Sequence, residues 1–335
     1  MIYNKSIIEE IEKKFANGEL VKRDETPYFR GEIGVRKANL VYLYSDEEKL
    51  EIEKCYTDIF YFIEKYCKIR REDGSIGNIK LRDYQIDYIN NINYNRHTLH
   101  VKSRQIGATI MNALKILHYS LFNIDKNTLI VANVSDTNVE LLDKIKNIYL
   151  NLPFFLKAGI KSWNQKSIIF DNGCRIKSEA RSKSPAIGYT IDYLYIDEFA
   201  HIPSNIINEF YNGIYPIIAA NLNSKLVISS TPNGTNLFYR LYLNAKREEG
   251  DPQKNSFRLI ETPYTVIPER DEQWVKDRIN DLGSEYLFQQ EYNLQFENKT
   301  IPNIIDEIKT NRIDNSKIMA KLESIEELLL KLLNK

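Results

Sequence analysis

From about residue 98 onward the sequence predicts an α/β fold, a mostly parallel central sheet flanked by helices, and three observations predict it. Short apolar runs at 98–102, 128–132, 193–196 and 226–230 are each followed by polar or glycine-bearing punctuation. Segments of helical apolar spacing follow them, at 109–122, 136–150, from about 204, and at 236–248. Strands alternating with helices form a parallel sheet, because a parallel neighbour needs a crossover long enough to carry the chain back. Gly107, Asp197 and Ser230 all fall at the carboxyl ends of these runs, where an open sheet of this kind receives its ligand.

In chain order, residues 7–15 have helical spacing, 17–39 read as a loop-rich arm punctuated by Gly18, Pro27, Gly31 and Gly34, and 47–66 return to helical spacing throughout. The strand at 98–102 turns through 103–107 into a helix carrying Ile110, Ala113, Leu114, Leu117 and Leu121 on one face. Asp171-Asn172-Gly173 is a hairpin turn signal. Beyond 316, Ile318, Leu322, Ile325, Leu329 and Leu332 recur at steps of four and three, the pattern of a short coiled-coil seam or of a helix packed back on its own domain. The expected organisation is a helical and loop arm over 1–79, a core over 80–298, and a tail with a C-terminal helix over 299–335.

The most informative segment is Tyr195-Ile196-Asp197-Glu198-Phe199-Ala200, an apolar strand ending in adjacent carboxylates. In a P-loop ATPase the first such acid holds the magnesium shell and the second orients the attacking water. The segment 98–109 reads as strand, turn and helix, the context a phosphate loop requires, with Gly107 at the turn and Thr109 placed to offer a hydroxyl to magnesium. The pattern G-x-x-x-x-G-K-[ST] asks for glycine at 102 and lysine at 108, and finds Lys102 and Ala108. Either Lys102 supplies the ammonium from the front of the loop, or Ala108 marks a site that binds nucleotide and turns it over poorly. Downstream, Ser229, Ser230 and Thr231 put three hydroxyls at a strand tip, where they can sense a γ-phosphate. In Leu81-Arg82-Asp83-Tyr84-Gln85, the Gln85 amide can offer a donor and an acceptor to an adenine edge, or lie on a helix surface.

Taken in order, Leu-Arg-Asp-Tyr-Gln, Lys-Ser-Arg-Gln-Ile-Gly-Ala-Thr, Tyr-Ile-Asp-Glu-Phe-Ala and Ser-Ser-Thr-Pro-Asn-Gly resemble the ATPase half of the large terminase subunit, the motor that packages DNA into tailed-phage proheads. The likeness runs over about 58–298 and includes Asn151-Leu152-Pro153-Phe154-Phe155, Trp163-Asn164, Phe170-Asp171-Asn172-Gly173 and Phe288-Gln289-Gln290-Glu291-Tyr292. It implies a P-loop NTPase of RecA-like type that uses ATP and Mg2+. Gln85 would read adenine, and Lys102, Ser103, Gln105, Ile106, Gly107, Ala108 and Thr109 would hold the phosphates. Asp197 and Thr109 would hold magnesium, Glu198 would be the catalytic carboxylate, and Ser229, Ser230 and Thr231 the coupling motif. Implied partners are double-stranded DNA, other copies in a ring, a portal protein, a small terminase subunit and a separately encoded nuclease, in the host cytoplasm and transiently at the portal vertex.

The sequence departs from that family at two points. Where an Arg-Gly pair usually supplies an arginine finger, this chain has Ile187-Gly188, so the finger role falls to Arg104 or to Arg181, with Arg104 the catalytic candidate beside Glu198. Such a finger is worth roughly three to five powers of ten in rate. Residues 299–335 are also too few to build a ribonuclease-H-like nuclease, so DNA cleavage is not expected of this chain: either the nuclease is encoded separately, or the chain is a truncated relative with a narrower task.

Composition bounds the alternatives. With 335 residues, 43% of them hydrophobic, the chain can bury a substantial core. Its 46 basic and 46 acidic residues balance, so any grip on DNA must come from local patches. Cys55, Cys67 and Cys174 have no metal-ligand spacing and suit a reducing compartment. Neither a signal peptide nor a membrane span is expected. Competing readings are a nucleotide-binding assembly protein with a silenced site and a stand-alone helicase-like ATPase.

Overall fold

The computed structural model describes residues 2–19, 21, 25–70, 74–132, 135–180 and 190–296. Arg181, the Ile187-Gly188 pair, and the tail with the helix expected there lie outside the described residues.

The N-terminal part runs β1 (Ile2–Tyr3), α1 (Lys5–Ala16), β2 (Val41–Tyr42), α2 (Asp46–Thr57), α3 (Ile59–Tyr66), β3 (Lys68–Arg70), β4 (Ile76–Asn78) and α4 (Asp83–Tyr94). The core continues with β5 (His97–Lys102), α5 (Ala108–Leu121), β6 (Asn127–Ala132), α6 (Ser135–Asn151), β7 (Ile160–Asn164), β8 (Ser167–Phe170), β9 (Arg175–Ala180), β10 (Tyr193–Asp197), α7 (Ser204–Ala220), β11 (Lys225–Ser230), α8 (Leu237–Lys246), β12 (Arg258–Thr262), α9 (Glu272–Leu282) and α10 (Glu285–Glu291).

One sheet of eight strands, ordered β12-β5-β11-β10-β6-β9-β8-β7, forms the centre. Pairing is parallel from β12 through β9 and antiparallel for β9/β8 and β8/β7. The antiparallel edge contains the hairpin expected at 171–173, where Gly173 takes φ 84. Strand β10, apolar from Tyr193 to Ile196 and buried throughout, shows why an interior parallel strand reads as a continuous hydrophobic run. Tyr193 and Tyr195 join the core beneath α3 to α6, while Leu194 and Ile196 join the opposite core against α7 and α8. Period-two alternation therefore serves both faces.

The helical spacing over 47–66 is interrupted at Asp58. Its carboxylate accepts from the Phe60 and Tyr61 amides at 2.8 and 3.2 Å, and its backbone is extended at φ −128, so α2 stops and α3 restarts. Ser45 begins α2 through a capping box with Glu48, the amide-to-oxygen distances being 3.0 and 3.2 Å. Both helices belong to the main core, since Cys55, Ile59, Phe62 and Ile63 are buried with α5 residues. The C-terminal end of α4 is satisfied from β11, where the Lys225 ammonium donates to the carbonyls of Ile92, Asn93 and Asn95.

Candidate nucleotide site at the strand tips

Every residue of β5 is buried, and its last, Lys102, ends beneath a tight loop. Gly107 closes that loop at φ 78 as the N-cap of α5, and a Cβ there would lie 2.9 Å from Gln85 Nε2. Only glycine meets both demands without strain. Gln105, two residues earlier, is left-handed without being glycine, at φ 56.

Register sets the tips side by side: Asp197 of β10 pairs with Ser229 of β11, and Ser229 pairs with His100 of β5. From this arrangement Lys102 Nζ reaches Asp197 Oδ1 at 3.0 Å and Glu198 Oε1 at 2.9 Å. The side chains of Lys102 and Asp197 are 7% and 3% exposed. Burial alone would push the Lys102 ammonium down, but the two carboxylates outweigh it and hold it above its ordinary range. Burial would likewise raise Glu198, yet Lys102, with His201 and Arg104 farther off, keeps it ionised below the usual carboxylate range. Ala108 belongs to the core under the loop and is 4% exposed. Thr109 lies half-buried on the first turn of α5.

The loop amides divide into two sets. Ser103 N–H donates to Thr262 O at 2.8 Å and Arg104 N–H to Glu291 O at 2.9 Å. Among the described residues the N–H groups of Gln105, Ile106 and Gly107 have no such acceptor. Unpaired amides at the start of a helix, beside a buried ammonium, form an anion-receiving concavity. Among the described residues no cluster of three or more acidic, histidine or cysteine side chains could hold a metal alone. A single strand-end acid fits magnesium instead, which takes one or two carboxylates and completes its shell with substrate phosphates and water.

Gln85 sits against this loop. Its Oε1 accepts from Arg82 N–H at 3.1 Å, and its Nε2 lies 3.5 Å from Ile106 O, which also accepts from the Tyr84 hydroxyl at 3.0 Å.

The three hydroxyls have separate partners. Ser229 Oγ lies 3.2 Å from Nδ1 of His100, whose Nε2 lies 2.9 Å from Thr262 Oγ1. Burial, with Lys102 nearby, keeps His100 neutral, well below its ordinary pKa. Ser230 Oγ accepts from Ala200 N–H at 3.0 Å. Thr231 Oγ1 lies 2.8 Å from His201 Nε2, which is 3.7 Å from Glu198 Oε2. That carboxylate oxygen is buried and has no hydrogen-bond partner among the described residues. His201 is a functional candidate that the sequence reading passes over; its position three residues after Glu198 is the only signal it gives. Arg104 is engaged within the chain, its Nε 2.7 Å and Nη2 3.4 Å from the two carboxylate oxygens of Glu291.

A phosphate loop at the tip of β5, two acids at the tip of β10, and β11 inserted between those strands define a P-loop NTPase of RecA-like fold. The sequence profile of the terminase large subunit, T4likevirus-type, N-terminal region, matches residues 99–311, and the chain belongs to that family. Membership makes it an ATPase of the viral DNA-packaging motor kind. Solved structures agree in fold. A mutant of the Thermus phage P74-26 large terminase ATPase domain is 20% identical with a TM-score of 0.54, the match covering 65% of this chain and 95% of that one. The HK97 bacteriophage large terminase is 14% identical with a TM-score of 0.57, the match covering 71% of this chain and 54% of that one.

Proposed function

We propose that the chain hydrolyses ATP in a magnesium-dependent reaction that drives double-stranded DNA into a viral prohead, with Lys102 as the phosphate-loop lysine. The observation that carries this reading is the Lys102 ammonium bridging Asp197 and Glu198 at 3.0 and 2.9 Å, with Ala108 in the core. The charge normally sent from the back of the loop is thus available from its front.

Magnesium, held by Asp197 and Thr109, would supply charge neutralisation to the phosphate oxygens. The free amides of Gln105, Ile106 and Gly107 receive phosphate, with Ser103 and Ala108 completing the loop. Two of the three Lys102 donors meet Asp197 and Glu198, which leaves the third to donate to a phosphate oxygen. Glu198, its Oε2 unpaired, then accepts a hydrogen bond from the attacking water and takes its proton. Thr231 reads the outcome through His201, and Ser229 through His100. Gln85 contributes at the loop's back, where adenine recognition is its proposed role. Arg104 is the proposed charge-stabilising arginine, and it must leave Glu291 to act on phosphate.

The motor would work as a ring of copies on a portal protein, with a small terminase subunit as a further partner. Its place would be the host cytoplasm and, transiently, the prohead portal vertex. The test is ATP hydrolysis with and without magnesium by the parent, Glu198→Ala and Lys102→Ala. Turnover in the parent that needs magnesium and is lost in both variants is the expected result. Full turnover in Lys102→Ala would refute the front-lysine assignment.

A further inference from the structure

We infer that Arg270, outside every motif of the nucleotide site, is a positioning residue that sets the peptide planes of the phosphate loop so that its amides face the phosphates. The inference rests on the nucleotide-site reading above and deepens it.

Arg270 immediately precedes Asp271, the N-cap of α9. Its Nη1 donates to Arg104 O at 3.1 Å and to Ser103 Oγ at 3.3 Å, and its Nη2 to Gln105 O at 3.0 Å. The guanidinium lies 4.8 Å from the Trp274 ring centroid, and Trp274 in turn packs against Tyr264 and Tyr292 at 5.9 and 5.3 Å. The preceding residue, Glu269, is tied to the start of α4 by Arg82, at 2.7 and 2.8 Å. The donor fork is therefore fixed from two sides before it meets the loop.

In a trans peptide the carbonyl of one residue and the N–H of the next point in opposite directions, and no cis peptide is present among the described residues. Holding the Arg104 and Gln105 carbonyls toward Arg270 turns the N–H groups of Gln105 and Ile106 away from it. These are amides left without an acceptor. Gln105 is also the loop's left-handed non-glycine residue, at φ 56, a strained conformation that persists only where the surroundings offset its cost. A planar fork with several fixed donors can meet three acceptors spread along a loop, and an ammonium cannot do so with the same geometry.

The test measures ADP affinity by titration calorimetry in the presence of magnesium, together with the thermal midpoint of the nucleotide-free chain, for the parent, Arg270→Ala and Arg270→Lys. Arg270→Ala is expected to weaken ADP about ten-fold, the order seen when groups that orient a binding shell are removed, with Arg270→Lys recovering only part. A role confined to stability would lower the midpoint and the number of binding-competent molecules while the folded ones kept parental affinity, and that result overturns the inference. Should Arg270→Ala fail to fold, Arg270→Lys decides alone: weaker ADP at a parental midpoint supports it, and parental affinity overturns it. A parent that binds no ADP would overturn the nucleotide-site reading itself, and this inference with it.

Discussion

Lys102 and Asp197 are 95 positions apart in sequence and 3.0 Å apart in the fold, a buried ion pair reaching past β11 from the tip of β5 to the tip of β10. Glu198 shares the same ammonium at 2.9 Å. Removing one member of a buried ionic group strands the others in low dielectric, at a cost of about 3–5 kcal/mol. Lys102→Ala is therefore expected to lose stability of that order in urea unfolding at neutral pH. Lys102→Ala/Asp197→Asn, which removes the confrontation of two acids, is expected to regain part of it. Asp197→Asn alone completes the cycle, and strictly additive losses would show that the pair is not coupled.

The same trio predicts a pH profile. Glu198 is held below its ordinary pKa, so its contribution is complete above the carboxylate range, about pH 4–5, and is lost as pH falls through its lowered folded value. Lys102 is held above its ordinary value, so its contribution is complete below about pH 10 and is lost only as pH rises beyond that. The stability difference between the parent and Glu198→Gln should be flat from about pH 6 to 9 and shrink in acid. A difference that grows on acidification would contradict the assignment.

Thr231→Val tests the link from strand tip to carboxylate. Valine keeps the shape of a fully buried side chain and removes the Oγ1 that meets His201 Nε2 at 2.8 Å. Releasing His201, which stands 3.7 Å from Glu198 Oε2, is expected to lower kcat about ten-fold with little change in KM for ATP. A raised KM with unchanged kcat would assign Thr231 to binding instead.

Gly107→Ala combines two separable penalties. The left-handed backbone at φ 78 costs an alanine about 1 kcal/mol, and its Cβ would lie 2.9 Å from Gln85 Nε2. Because that neighbour is the far end of a flexible side chain, Gly107→Ala/Gln85→Ala should recover the steric share and retain the conformational one. Additive losses in a double-mutant cycle would sink this account.

Local sequence carries the outline of the sheet and both nucleotide motifs because those signals are short-range. Tyr193 to Asp197 is an unbroken apolar run into an acid, and Gly107 precedes a helix with an apolar stripe. Long-range pairing is what sequence does not announce. Strand β12 reads Arg-Leu-Ile-Glu-Thr, with little apolar content, and becomes a strand by adding to the edge of β5, where Thr262 pairs with Lys102. Arg270 is an ordinary polar residue until the chain returns to the loop, where it meets the carbonyls of Arg104 and Gln105, so no spacing betrays it. At Asp58 the helical periodicity continues through the break, which the extended Asp58 backbone and its side-chain cap on α3 make.

The sequence leaves open whether Ala108 marks a silenced site, and the geometry yields a prediction. Ala108 is buried with the α5 core, its carbonyl accepting from Asn112 Nδ2 at 2.9 Å, while Asp197 and Glu198 already share an ammonium. Ala108→Lys must force a long cation into a packed position, at about 1–3 kcal/mol for the added bulk, and would bring a second positive charge to a satisfied pair. Ala108→Lys is therefore expected to unfold more easily and to show no gain in ATP turnover. In the Lys102→Ala background it should leave turnover lost, because a lysine at the buried position 108 does not replace the ammonium removed from the tip of β5. Steady-state hydrolysis of the parent, both single variants and the double variant checks this directly. A several-fold gain in Ala108→Lys, or rescue of Lys102→Ala by it, would mean that the loop had lost its working lysine at 108 and that Lys102 is a structural counter-ion.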